Sequence, residues 1–235
     1  MENIQDERGH NQIWSETRST RVRAERRGAY MVEKGNCSAQ SKILEIGCGT
    51  GFNSYHIAKI TGAEVVGLDL SKSFIEEARD RYRLPNLRFV QSDFNDSQKC
   101  GGEKFDCIVG NGILHHLYEN LPEALTSIRS LLAPKGRIVF IEPNLFNPYV
   151  YLIFSNKRLR EWARLEPTEM AFSRGFAIQT FTDAGYSNIE VEYRDFLLPG
   201  VPELFISPLI CIGSVIEKIP LLRAWSQSIF ISASK

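Results

Sequence analysis

The sequence has no excess of charge of either sign, with 28 Lys+Arg against 28 Asp+Glu. Binders of the phosphate backbone draw affinity from surplus cations, so no nucleic-acid partner is expected. It also has no paired cysteines. The five present (Cys37, Cys48, Cys100, Cys107 and Cys211) are scattered without a Cys-x-x-Cys unit. That spacing argues against a zinc site or a disulfide scaffold and fits reduced thiols in the cytoplasm. Residues 1–30 lack the apolar stretch of a secretory leader, so none is expected. Repeats and low-complexity tracts are absent, which argues against a solenoid. No apolar run reaches the roughly 20 residues of a spanning helix. The most apolar stretch, Leu204–Ile216, is bounded by Glu203 and Glu217 and interrupted by Pro208.

What is present suits one α/β domain. At 235 residues, 43% of them apolar, the chain can enclose a sizeable core. Runs at Lys42–Ile46, Glu64–Leu68, Leu87–Gln91, Phe105–Val109 and Arg137–Ile141 have the unbroken apolar character of strands covered on both faces. Helical segments separate them. One follows at Phe52–Ile60; another starts near Ser71 or Ser73, with Ser73-x-x-Glu76 matching a capping box and Phe74, Ala78 and Tyr82 as its buried stripe. A third spans Pro122–Leu132. Such alternation implies a right-handed, doubly wound parallel sheet. Later strands are expected at Asn188–Tyr193 and Ser228–Ser234, with a helix over Arg174–Ala184. The divisions are an arm over 1–40 (basic and partly helical over 8–34), a core over 41–142, a cap with substrate-side insertions over 143–224, and a last strand over 225–235.

The first strand runs into Glu45-Ile-Gly47-Cys48-Gly49-Thr-Gly51. Glycines at a strand–helix turn let a ligand approach the backbone without a Cβ in the way, at the edge of the sheet where α/β folds bind ligands. A dinucleotide fingerprint needs Gly-x-Gly-x-x-Gly, whereas here position 52 is Phe and Glu45 precedes the glycines. That carboxylate suits a cationic ligand. Asp69 ends the second strand, where it can accept both hydroxyls of a ribose or cap the next helix; the ribose role is preferred because Ser71 or Ser73 can supply the cap. Asp93-Phe94 ends the third strand, where the Asp can accept from an adenine amino group while Phe94 or Leu70 packs on the ring.

These motifs, with Phe105–Leu117 and the Leu-Leu-Ala-Pro-Lys-Gly-Arg of 131–137, resemble class I S-adenosylmethionine-dependent methyltransferases. The resemblance implies a Rossmann-like, mainly parallel seven-stranded sheet with helices on both faces and an antiparallel last strand. It implies S-adenosyl-L-methionine as cofactor, held by Glu45, Gly47, Cys48, Gly49, Gly51, Asp69, Leu70, Asp93, Phe94 and Asn111. No metal constellation stands out. The placement of His115 is similar to that of the base in some small-molecule O-methyltransferases. Its imidazole can take a proton near neutral pH, with His116 as its neighbour, though paired histidines here also serve to pack or fix the loop. An NAD-dependent oxidoreductase and a non-catalytic binder of the same donor are the competing classes.

The acceptor is read from the decorations. Tyr149, Tyr151, Phe154, Trp162 and Phe172, interleaved with Arg158, Arg160, Arg164 and Arg174, form either a covering layer with aromatics inward and arginines solvated or a cap over the acceptor. Glu166–Arg174 and Lys218–Arg223 faintly resemble short words of bacterial methyltransferases associated with surface polysaccharides and lipids, which points to a small-molecule, glycan or lipid-like acceptor. Leu204–Ile216 reads first as a buried helix; a pocket wall or a peripheral membrane contact are the alternatives. Arg18, Arg21, Arg23, Arg26 and Arg27 read as a solvated helical face, or as partners for an acceptor's phosphate.

Overall fold

A computed structural model describes residues 17–95, 102–163, 165 and 168–235. The readings that involve residues 8–16, Cys100, Arg164 and Glu166 fall outside these. The strands are β1 (Lys42–Ile46), β2 (Glu64–Asp69), β3 (Leu87–Gln91), β4 (Phe105–Asn111), β5 (Leu132–Pro143), β6 (Ser187–Arg194) and β7 (Ser228–Ser234). They form one seven-stranded sheet in the order β3-β2-β1-β4-β5-β7-β6. Every pairing is parallel except those of β7, which runs antiparallel to β5 and β6. The Rossmann-like sheet with an antiparallel last strand is the expected architecture.

Alternation along each strand divides the core in two. Leu44, Val66, Ile108 and Phe140 face one layer, which includes α4 (Leu121–Leu131) and α7 (Arg174–Asp183). Ile43, Val65, Val109 and Ile141 face the other, with α1 (Arg18–Gly35) and α2 (Phe52–Thr61). One helix, α3 (Lys72–Arg81), differs in detail from its sequence reading. Ser71, in extended backbone, accepts the Phe74 N–H and is the N-cap. The buried face is Ile75 and Ala78, against Phe89 and Cys48. Phe74 and Tyr82 flank it half-buried.

The arm is not a solvated face throughout. Arg23 Nε and Arg27 Nη2 each lie 2.6 Å from Asp195 Oδ2, with all three side chains at most 16% exposed. Arg27 also donates to Asn111 Oδ1 (2.7 Å) and Ser228 Oγ (2.7 Å). Burial draws the Arg27 guanidinium down to about 10, aided by the neighbouring Arg23 and opposed by Asp195, so it stays charged at neutral pH. Burial alone would raise the Asp195 carboxyl, but Arg27 and Arg23 prevail and hold it below its ordinary 3.8. Asp195 also has a left-handed φ of 76°, a conformation Asp tolerates better than most residues. Because its folded pKa is depressed, its contribution is present above the ordinary value and is lost as pH falls through the lower, folded one. Asp195→Ala leaves two guanidinium groups in a site that no longer neutralises them. It is expected to cost about 3–5 kcal/mol at pH 7 in urea unfolding, and the loss should shrink in acid.

The cap departs further from its reading. Phe172 is sealed at 0% exposure, but Tyr149 and Tyr151 of α5 (Pro148–Ser155) and Trp162 of α6 (Lys157–Trp162) are more than half exposed. Arg160 turns inward to the carbonyls of Phe154 and Glu169. α8 (Glu203–Ile216) is helical, yet only Ile206 and Gly213 are buried. The expectation of an ordinary buried helix is therefore corrected: neighbouring elements cover one narrow strip of it.

Candidate functional site

The sheet order puts β1 beside β4, with successive strands running outward on either side. This switch point opens a crevice at the carboxyl edge, and the glycine loop lies over it. Gly47 N–H and Cys48 N–H both donate to Leu68 O (2.8 and 3.0 Å), tying the loop to the end of β2. Gly51, at φ 86°, packs so tightly that a Cβ would come within 2.6 Å of the Phe89 ring. Gly49 differs: at φ 52°, a Cβ there would meet nothing within 4 Å. Packing therefore does not explain Gly49, and its open face is where a ligand can reach the backbone.

Asp69 joins this loop. Its Oδ2 accepts the Gly49 N–H (2.8 Å) and its Oδ1 the Ser71 N–H (2.9 Å). The carboxylate thus faces the glycine turn while Ser71 takes the capping role. Asp93 is exposed and accepts from the Asn95 backbone at 2.8 Å. Leu70 is 47% exposed whereas Phe94 is 8% exposed within the main core; of the two candidates for an adenine face, Leu70 presents a surface. Cys48 turns its side chain into the small cluster with Ile75 and Phe89. Glu45 lies beneath the loop at 2% exposure. Asn53 Nδ2 donates to one of its oxygens at 2.7 Å and Ser54 Oγ to the other. Burial pushes its carboxyl up to about 7 against those two hydrogen bonds, so a cation arriving nearby would draw out the ionised form. Asn111, at the tip of β4, is the residue Arg27 grips.

The histidines stand at the next strand tips. Glu142, near the end of β5, is fully buried and accepts the backbone N–H groups of Ile113, Leu114 and His115 at 3.1, 2.8 and 3.3 Å. These N–H groups open the short helix Leu114–Asn120 and need acceptors. The same carboxylate lies 2.8 Å from His115 Nδ1. A carboxylate on Nδ1 fixes the tautomer and leaves Nε2 as the proton acceptor. His116 Nδ1 lies 3.2 Å from Glu169 Oε1, and the two imidazole rings are 4.1 Å apart. His115, His116 and Glu169 offer ligand atoms within 4.8 Å of one another, a grouping the sequence reading did not assemble. Ligands about 2.1 Å from a shared ion lie at most about 4.2 Å apart, so these three would have to close up to hold a metal.

The sequence reading did not single out Glu142 or Glu169, and it had Arg27 on a solvated face or toward an acceptor's phosphate rather than beside Asn111. Glu142 carried a signal, a charged residue at the end of an unbroken apolar strand; Glu169 and Arg27 carried none that separates them from their neighbours.

Residues 43–136 match a family model described as a methyltransferase domain. Those residues, which hold the glycine loop, Asp69 and Asp93, are similar to a methyltransferase domain. Among relatives, a demethylmenaquinone methyltransferase of Chlorobaculum tepidum is 32% identical over 49% of this chain and 48% of its own. A ubiquinone biosynthesis O-methyltransferase of Actinobacillus pleuropneumoniae is 32% identical over 47% and 49%. The chain thus spans about half the length of these relatives. The N-methyltransferase NodS of Bradyrhizobium japonicum, solved with S-adenosyl-L-homocysteine, superposes with a TM-score of 0.63 at 17% identity, covering 99% of this chain and 96% of that one. That likeness is one of fold, and it takes in the cap and the last strand as well as the core.

Proposed function

We propose that the chain transfers the methyl group of S-adenosyl-L-methionine to an oxygen of a small-molecule, glycan or lipid-like acceptor. The observation that carries this reading is the meeting, at the switch point, of the open-faced Gly49 with Asp69, 2.8 Å apart. The donor supplies a methyl group on a positively charged sulfur. Asp69 accepts the ribose hydroxyls, Asp93 accepts from the adenine amino group, and Leu70 covers the ring. The backbone of Gly47, Cys48, Gly49 and Gly51 lines the donor's approach, and Asn111, held by Arg27, presents its amide beside it. Glu45 adds negative charge beneath the donor's cationic end, and Phe94 braces the third strand tip from the core. His115 Nε2 would take the acceptor's hydroxyl proton as the oxygen gains the methyl group and the donor's methyl–sulfur bond breaks to leave a neutral thioether. Glu142 holds the ring in place and steadies the imidazolium that results.

One relative is named a demethylmenaquinone methyltransferase and another is named for ubiquinone biosynthesis, which supports a lipid-like acceptor. The exposed aromatics of α5 stand close after β5, where such an acceptor would lie, and Leu204–Ile216 is the part suited to meet a membrane from the cytoplasmic side. Among the described residues, no helix is long and apolar enough to cross one.

Two measurements test the reading. Calorimetry is expected to show S-adenosylhomocysteine binding without NAD binding; the reverse overturns the donor assignment. Labelled methyl from the donor is then expected in the organic phase of a cell extract. Donor binding with no label in either phase would leave a non-catalytic binder.

A further inference from the structure

Two charge-free stretches of chain are linked by one short helix. Residues 145–156 contain no Asp, Glu, Lys or Arg, and neither do residues 204–216. The short helix Leu222–Trp225 bridges them. Asn147 Nδ2 donates to Trp225 O at 2.7 Å, and Asn144 Nδ2 to the carbonyls of Ala224 and Ser226 at 2.8 Å. These bonds hold the start of α5 against the short helix, which the chain joins to the end of α8 through residues 217–221.

This surface is apolar and uncovered. At 100° per residue, Leu204, Phe205, Ile212 and Val215 fall within an arc of about 100° on α8, opposite the buried Ile206 and Gly213. Those four are 53–80% exposed, and Tyr149 and Trp225 are each 56% exposed. Soluble surfaces scatter such side chains singly; a contiguous patch marks a contact.

Its rim is cationic. Lys157 and Arg158 follow the first stretch, Lys218 and Arg223 the second, and all are exposed. Glu217 is turned inward, accepting the Asp195 N–H at 3.0 Å. Among the described residues beside these two stretches, the outward acids are Glu203, 3.9 Å from Arg18 at the far end of α8, and Glu161.

We infer that this face seats the protein on a bilayer with anionic headgroups. The apolar side chains enter the interfacial zone, Tyr149 and Trp225 lie at the depth aromatic rings favour, and the rim meets the headgroups. A second copy is the poorer occupant, because a symmetric pairing would set the same cations against each other. The inference deepens the lipid-like acceptor reading: the first stretch begins three residues after Glu142, the residue that holds His115.

Flotation of the full chain with vesicles tests it. Binding is expected to phosphatidylcholine vesicles containing phosphatidylglycerol, weaker binding to phosphatidylcholine alone, and loss with added salt. Phe205→Ser with Val215→Ser is expected to lower partitioning about tenfold or more. Lys218→Ala with Arg223→Ala is expected to remove roughly 25-fold of the preference for anionic vesicles and leave binding to neutral ones unchanged. Both double variants should keep the wild-type circular dichroism and S-adenosylhomocysteine affinity. The inference is overturned if the wild type floats with neither vesicle, or if both variants float as well as it does. A dimer in solution that Phe205→Ser with Val215→Ser dissociates would overturn it too, making the face a contact between copies. Vesicle binding without methylation of any lipid would sink the acceptor reading and leave the docking surface standing.

Discussion

Asp69→Ala is expected to weaken S-adenosylhomocysteine binding by roughly 10²- to 10³-fold, taking two charged hydrogen bonds at about 1.5–2 kcal/mol each. The carboxylate caps no helix, since Ser71 accepts the Phe74 N–H, and it is half-buried at the rim of the core. The fold should therefore survive, with the melting temperature within a few degrees of wild type. The substitution also frees the Gly49 N–H, so part of the loss reflects a slacker loop. Asp69→Asn separates the two: it keeps an oxygen for Gly49 but removes the charge and one acceptor site, and most of the affinity should still be lost. Wild-type calorimetric affinity in both variants would move Asp69 out of the donor site.

The second large effect is on turnover. His115→Ala is expected to lower kcat by about 10²- to 10⁴-fold, the range of a positioned general base, with donor affinity changed less than about twofold. Alanine leaves the buried Glu142 without its imidazole partner, though the three backbone N–H groups remain. His115→Asn is the cleaner variant, because its amide can still donate toward Glu142 while offering no base. Both should be inactive at saturating donor, and added imidazole should restore part of the activity of His115→Ala. A residue that merely packs the loop would give lower stability, near-normal kcat and no rescue, and that outcome would end its assignment as the base.

The parts of this protein legible from sequence are those in which neighbours along the chain are also neighbours in space. Strand runs such as Ile43–Ile46 and Ile138–Ile141 read correctly because a parallel strand covered on both faces must be apolar almost throughout. That the glycine loop, Asp69 and Asp93 stand at strand ends was legible because the strands themselves were. The α3 stripe was misplaced because Ser71 and Ser73 both suit the cap, and only the backbone at Ser71 decides between them. Leu204–Ile216 was misread for a different reason: an apolar run looks the same whether covered by protein or turned outward.

Order of elements, turn chemistry and the polarity of each segment follow from the residues alone, because periodicity and capping act over a few positions. Which groups become partners across the chain does not. His115 and Glu142 stand 27 positions apart and meet because β4 and β5 pair in parallel with Asn111 opposite Ile141. Arg27 and Asp195, separated by 168 positions, meet because α1 lies across β7 and the end of β6. Pairings of this kind are selected by desolvation and register, which exist only once the sheet has closed its order and brought a buried charge to partners that can neutralise it.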